Sequence, residues 1–210
     1  MRTLLKIELY KILKRPRTYI GFGAILLIVL ALEFAFFAEG ETLIGLVFQN
    51  LSSVFRLEGK IITVNFLTYM LLNVLIIHVP ILICLVTGDI ISGESANGSL
   101  RLLMQRPYSR MKIYMAKWLA GVIYTIALVL FLGLVSYLLG YLLFGNGDLI
   151  VFRRGVHVFE ATDVVWRFFG AFGMGILSMM VIASLSIMIS SFTNNSIGPI
   201  VGTIAILIVL

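Results

Sequence analysis

The feature that most constrains this chain is a series of apolar stretches, each long enough to cross a membrane. A helix needs about 20 apolar residues to span the hydrocarbon core, and such stretches occupy residues 19–38, 61–87, 118–144, 166–190 and 197–210. Hydrophobic residues make up 60% of the chain and charged residues only 12%, whereas soluble domains contain about 45–50% apolar residues. The sequence therefore predicts an all-α integral membrane protein with five visible transmembrane helices.

Residues 1–17 come before the first apolar stretch and have a different pattern. Their apolar side chains recur at helical spacing, with lysines between them: Leu5, Leu9, Ile12 and Leu13. A helix of this kind lies along the membrane surface, with its lysines among anionic headgroups. We therefore expect an interfacial elbow helix over residues 1–17, and Pro16 marks the turn into the membrane.

The distribution of lysine and arginine predicts the orientation of the chain. Six of these residues lie in 1–17 and five in 88–117, against two in 39–60 and three in 145–167. Because basic flanks stay on the cytoplasmic side, the N-terminus and residues 88–117 are expected in the cytoplasm of a multi-pass protein in the inner (plasma) membrane. The basic residues cluster beside the apolar stretches and form no continuous patch, so membrane lipid is an expected partner and nucleic acid is not.

The cytoplasmic segment 88–117 contains the most informative pattern in the chain. Gly98 loosens the backbone, Ser99 can cap the first turn of a helix, and Pro107 ends that helix after roughly two turns. The apolar side chains of this short helix fall on one stripe: Leu100, Leu103 and Met104. The pattern predicts a docking element between two spans; the alternative is a solvated or lipid-facing loop with snorkelling arginines.

The order of residues in this segment resembles a known family motif. Gly93-Glu94, a short spacer, Gly98-Ser99-Leu100-Arg101-Leu102-Leu103 and then Arg106-Pro107 match the coupling segment of ABC-2 permeases, the membrane subunits of one class of ABC transporter. The resemblance implies that the following residues contact the ATP-binding subunit: Glu94, Gly98, Ser99, Leu100, Arg101, Leu102, Leu103, Met104, Arg106 and Pro107.

The resemblance also implies an ABC-2 exporter-like fold and a set of partners. Members of that family usually have six spans, so five visible spans suggest a sequence that ends before the sixth. Two permease subunits, identical or different, would form the pathway together with separate ABC ATP-binding subunits. ATP and magnesium would bind to those partners, and this chain would bind no cofactor or metal and would not be an enzyme. The sequence agrees, since it contains no Gly-x-x-x-x-Gly-Lys-Ser/Thr loop.

Glu33 is the other candidate site residue, because it is an acidic residue within the first predicted span. An ionisable side chain at this depth indicates a translocation pathway, and snorkelling to the nearby outer surface explains it equally well. An intramembrane enzyme is the alternative from another class, and it would need a second titratable group facing Glu33. A passive channel or scaffold is a further alternative, and neither would need a docking helix.

Overall fold

The computed structural model of the chain describes residues 1–47, 62–105, 107–152 and 156–209. In chain order, the helices are α1 (Arg2–Lys14), α2 (Pro16–Val47), α3 (Val64–Thr87), α4 (Asp89–Ala96), α5 (Ser99–Met104), α6 (Arg110–Phe144), α7 (Ala161–Phe192) and α8 (Gly198–Val209). Strands β1 (Leu149–Phe152) and β2 (Val156–Phe159) form an antiparallel pair between α6 and α7.

Four helical segments of the described chain are long and apolar enough to cross a membrane: Pro16–Gly40, Val64–Ala96, Arg110–Phe144 and Ala161–Phe192. The fifth predicted span corresponds to α8, which has 12 residues. The protein is therefore a multi-pass helical membrane protein, with four helices of spanning length in the described residues where five were predicted.

The helix boundaries differ from the predicted spans at both ends of several helices. Helix α6 starts at Arg110 and has 35 residues, so it is about 52 Å long, well beyond the roughly 30 Å of the core. The helix is therefore longer than a crossing requires, and its first two turns precede the predicted start of the span at residue 118. Helix α2 continues to Val47, past a break at Glu39, where φ is −134° and ψ is 30°.

The segment between the predicted spans 118–144 and 166–190 contains the β-hairpin, so the described fold is all-α apart from these two short strands. Their sequences, Leu-Ile-Val-Phe and Val-His-Val-Phe, are rich in the β-branched and aromatic residues that favour strands. Leu149 is buried with Phe66 and Val164 in a small apolar cluster. The hairpin is therefore held by packing against α3 and α7.

The chain divides into two compact units. Unit 1 contains Met1–Gly23, Ile76–Leu130 and Gly173–Leu210, and unit 2 contains Ala24–Leu75 and Phe131–Phe172. Unit 1 thus brings together the start of α2, the end of α3, the start of α6 and the end of α7, as expected for spans of alternating direction. The predicted docking segment belongs to this unit.

Candidate functional site

Helix α4 is fixed in unit 1 by one buried hydroxyl group. The Ser190 hydroxyl, on α7, donates to the Gly88 carbonyl oxygen at 2.6 Å. The Ser190 hydroxyl oxygen also accepts from the backbone N–H of Ser92 at 2.9 Å and from that of Ile91 at 3.3 Å. The first turn of a helix has N–H groups without partners inside the helix, and here a side chain from another helix supplies the acceptor.

Two acidic and two basic side chains form a closed set of ion pairs, which we call the ion-pair cluster: Glu8, Lys11, Glu94 and Lys117. The Lys117 Nζ atom lies 2.9 Å from Glu8 Oε2 and 2.7 Å from Glu94 Oε2. The Lys11 Nζ atom lies 2.8 Å from Glu8 Oε1 and 2.9 Å from Glu94 Oε1. Each carboxylate thus bridges both ammonium groups, and the cluster joins α1, α4 and α6.

Most of the ion-pair cluster is inaccessible to water. The Lys117 side chain is 1% exposed, and the side chains of Glu8 and Glu94 are 5% and 6% exposed. Burial is costly for unpaired charges. In this cluster the two negative carboxylates are paired with two positive ammonium groups, which offsets part of that cost. Lys11 is more accessible: burial lowers its pKa, but the hydrogen bonds to Glu8 and Glu94 outweigh this and raise it above the usual value. Lys11 is therefore positively charged at neutral pH.

A second group of charges connects the junction of α1 and α2 to α4. Arg15 Nη1 donates to Asp89 Oδ2 at 3.0 Å and to the Asp89 carbonyl oxygen at 3.2 Å. Arg17 Nη1 lies 3.2 Å from Asp89 Oδ1. A Cβ atom at Gly93 would collide with the Asp89 carboxylate, so the glycine leaves the space in which that carboxylate lies.

Helix α5 starts at a glycine in the left-handed region. Gly98 has φ of 70° and is the N-cap residue, and α5 has no side-chain cap. Ser99, which was predicted to cap the first turn, instead donates its hydroxyl to the Glu94 carbonyl oxygen at 3.3 Å. The turn between α4 and α5 therefore depends on the glycine and on this link back to α4.

We expect Gly98→Ala to destabilise the protein by about 1 kcal/mol, because the left-handed conformation is unfavourable for residues with a Cβ atom. The measurement is the free energy of unfolding of the purified protein in detergent. Gly23→Ala is the matched control: Gly23 lies within α2, and nothing lies within 4 Å of an added Cβ atom. The control should be neutral or slightly stabilising, and equal losses in both variants would contradict the argument.

The side chains of α5 are accessible, and none of its residues is buried. Leu102 is 66% exposed and Met104 is 48% exposed. Leu100 and Leu103 are half-buried, whereas Arg101 is exposed. A cavity of about 280 Å³ lies beside the helix, lined by Ser95, Ala96, Leu100, Arg101, Met104 and Asn194. The short helix thus presents apolar and basic groups at the surface of unit 1.

The predicted contact residues have different environments. Gly98 to Met104 form the accessible turn and helix, and Pro107 is exposed beyond the end of α5. Glu94, by contrast, is 4% exposed, so it acts inside the protein through the ion-pair cluster. Arg106 lies outside the described residues.

Glu33 belongs to unit 2 and is fully buried. Both carboxylate oxygens lack hydrogen-bond partners among the described residues. Its Oε1 atom lies 3.6 Å from where a Cβ atom on Gly140 would be. The side chain therefore points into the protein, which weighs against the snorkelling explanation.

Several residues that organise this site were not singled out by the sequence analysis: Glu8, Lys11, Arg15, Arg17, Asp89, Lys117 and Ser190. The sequence contained one signal for Glu8: it lies four residues after Leu4 and four before Ile12, on the same side of the helix. These three residues are the buried ones of α1. An acidic residue on the buried side of a basic helix predicts a buried cationic partner.

These features define the class of the protein: a multi-pass helical membrane protein in which a short accessible helix follows α4, and α4 is linked to α1 and α6 by buried ion pairs. Residues 25–209 match the family described as "Protein of unknown function (DUF2705)", and the chain belongs to that family. It is also similar to the "Uncharacterized protein YhcI" of Bacillus subtilis (strain 168), with 28% identity over 118 residues. This match covers 53% of the chain and 37% of that relative. No solved structure matches the chain.

Proposed function

We propose that this chain is the permease subunit of an ATP-driven ABC transporter of the ABC-2 class. In this proposal it dimerises with an identical or a different permease subunit to form an export pathway, and its N-terminus and α5 lie on the cytoplasmic side. ABC ATP-binding subunits on that side would hold ATP and magnesium. The observation that carries the proposal is the accessible helix α5, which lies in the segment with the family motif and is joined to spanning helices through α4.

The exposed surface of α5 suits docking to another protein. Leu102 and Met104 expose apolar surface, and removing this surface from water would stabilise a complex with the partner. Arg101 adds a guanidinium group that can pair with a carboxylate of the partner. The cavity of about 280 Å³ beside Leu100 and Asn194 provides space for a side chain of the partner.

The ion-pair cluster connects the docking surface to the spanning helix α6. Glu94 is on α4, Lys117 is on α6, and their 2.7 Å ion pair is buried. A displacement of α4 and α5 therefore has to move α6 or break buried charge pairs, and breaking them is costly. When ATP closes the partner, the closed partner would bind one arrangement of α5 more tightly than another. The difference between these two contact free energies would drive the change in transport. Glu94 is a positioning residue in this scheme.

Glu33 is a candidate pathway residue in the same scheme. Its buried carboxyl group lies beside Gly140, where α2 and α6 approach closely in unit 2. A buried ionisable group within a spanning helix is costly, and such groups mark substrate or ion pathways. Its replacement by Gln is expected to alter transport while leaving the binding of the ATP-binding subunit unchanged.

The proposal is tested by co-purification with a candidate ATP-binding subunit, followed by charge reversal at Arg101, on α5, and at Arg106 of the family motif. We expect Arg101→Glu and Arg106→Glu each to reduce transport-stimulated ATP hydrolysis by about tenfold, equivalent to a loss of roughly 1.4 kcal/mol of contact free energy. Membrane insertion should be unaffected. Lys112→Glu is the control, since Lys112 is an exposed basic residue at the start of α6. Unchanged hydrolysis in the Arg101→Glu and Arg106→Glu variants would contradict the docking surface and favour a channel or scaffold.

A further inference from the structure

A cavity of about 340 Å³ opens where α1 meets α2, and it is separate from the exposed surface of α5. Its lining includes Arg15, Arg17, Asp89, Asn97 and Ser196. The volume is at the lower end of the range of about 300–1,000 Å³ found for small-molecule sites. The side chains of Arg15 and Arg17 are 28% and 44% exposed, so both guanidinium groups can be reached from outside.

The charge of this cavity favours an anion. Two guanidinium groups share one carboxylate, that of Asp89, and both use Nη1 in these ion pairs. A guanidinium group has five N–H donors, which leaves other donors of Arg15 and Arg17 for a ligand. The neighbouring ion-pair cluster contains two charges of each sign, so it does not offset the excess positive charge. The Asn97 amide and the Ser196 hydroxyl add uncharged polar groups to the lining.

The position of the cavity along the chain indicates where the anion comes from. Arg15 and Arg17 flank Pro16, the first residue of α2 and of the first span. Helix α1, which precedes this junction, has exposed apolar side chains: Ile7, Tyr10 and Leu13. A helix with such side chains lies in the headgroup region of a bilayer. With α1 in that region, the two guanidinium groups would lie near the lipid phosphates.

We propose that this cavity binds the phosphate group of an anionic phospholipid. Arginine binds phosphate oxygens through parallel hydrogen bonds, and basic pockets between membrane helices bind anionic headgroups. Bound lipid would link α1 and α2 to α4 through Arg15, Arg17 and Asp89. This proposal does not depend on an ATP-binding partner, because it concerns the lipid around the full chain.

The first test measures binding of phosphatidylglycerol to the full chain in detergent by native mass spectrometry and by thermal stabilisation. We expect stabilisation by phosphatidylglycerol, little by phosphatidylcholine, and a weaker effect at high salt. Arg17→Gln should weaken phosphatidylglycerol binding about fivefold, the factor that one basic residue contributes near an anionic surface. Lys6→Gln is the matched control, because Lys6 is exposed on α1 and does not line the cavity.

A second variant separates lipid binding from structural damage. Asp89→Asn removes the carboxylate that competes with lipid for both guanidinium groups, so we expect tighter binding of phosphatidylglycerol. If Arg15, Arg17 and Asp89 only hold the fold together, Asp89→Asn should instead weaken binding as Arg17→Gln does, and this outcome would overturn the proposal. Equal stabilisation by inorganic phosphate alone would also overturn it. A third result would overturn it as well: Arg17→Gln abolishes co-purification with the ATP-binding subunit but leaves phosphatidylglycerol binding unchanged. The cavity would then bind protein.

Discussion

Lys117→Met is expected to destabilise the protein by roughly 3–5 kcal/mol, the cost of removing one partner from a buried ion pair. The Lys117 side chain is 1% exposed and lies between the carboxylates of Glu8 and Glu94. Methionine fills similar volume but cannot donate hydrogen bonds, so the two carboxylates would share Lys11 alone. The measurement is the free energy of unfolding in detergent, followed by helical circular dichroism.

Two further variants show whether the loss arises from charge. Lys112→Met removes an exposed lysine from the same helix, and it should change stability little. The double variant Glu94→Gln/Lys117→Met removes one charge of each sign, so it should recover part of the stability that Lys117→Met loses. Two outcomes would contradict the link between α4 and α6 through the ion-pair cluster. One is that Lys117→Met loses no more stability than Lys112→Met. The other is that the double variant loses as much stability as Glu94→Gln and Lys117→Met do together when each is measured alone.

Ser190→Ala should cost roughly 1–3 kcal/mol, because it removes the acceptor of two buried N–H groups. The Ser190 hydroxyl bonds to the Gly88 carbonyl oxygen and to the N–H groups of Ile91 and Ser92. These groups lie at the junction of α3 and α4 and are shielded from water. The loss should therefore be accompanied by faster hydrogen exchange at Ile91 and Ser92, which reports on the start of α4 directly.

Ser191→Ala is the matched control for this prediction. Ser191 is the next residue on α7, is exposed, and bonds only to the Met188 carbonyl oxygen in its own helix. Its removal should leave both stability and the exchange rates of α4 close to those of the unaltered protein. Equal effects of the two substitutions would show that Ser190 does not cap α4.

The membrane class and most of the spanning helices could be predicted because they depend on local composition. Apolar stretches of spanning length at 61–87 and 166–190 became α3 and α7, with boundaries shifted by a few residues. The short helix α5 was also predictable, since a glycine precedes it and a proline follows it. Its cap was wrongly predicted: Ser99 bonds back to Glu94.

The β-hairpin shows a limit of the same approach. Its strands have four residues each, the shortest length at which an alternating pattern indicates a strand. They are stabilised by Leu149 packing against Phe66 and Val164, which are distant in sequence. Nothing within residues 148–163 alone indicates that contact, so the sequence analysis assigned no strand there.

The sequence alone determined that this chain requires a membrane and that a short accessible helix lies between two of its spans, because hydrophobic length and helix breakers act over neighbouring residues. Tertiary structure decided the role of the charged residues. Glu94 belongs to the recognisable motif, yet its carboxylate is buried between Lys11 and Lys117. Coulomb attraction acts between groups that folding brings within about 3–4 Å, and residues separated by as many as 109 positions come that close only when the helices pack.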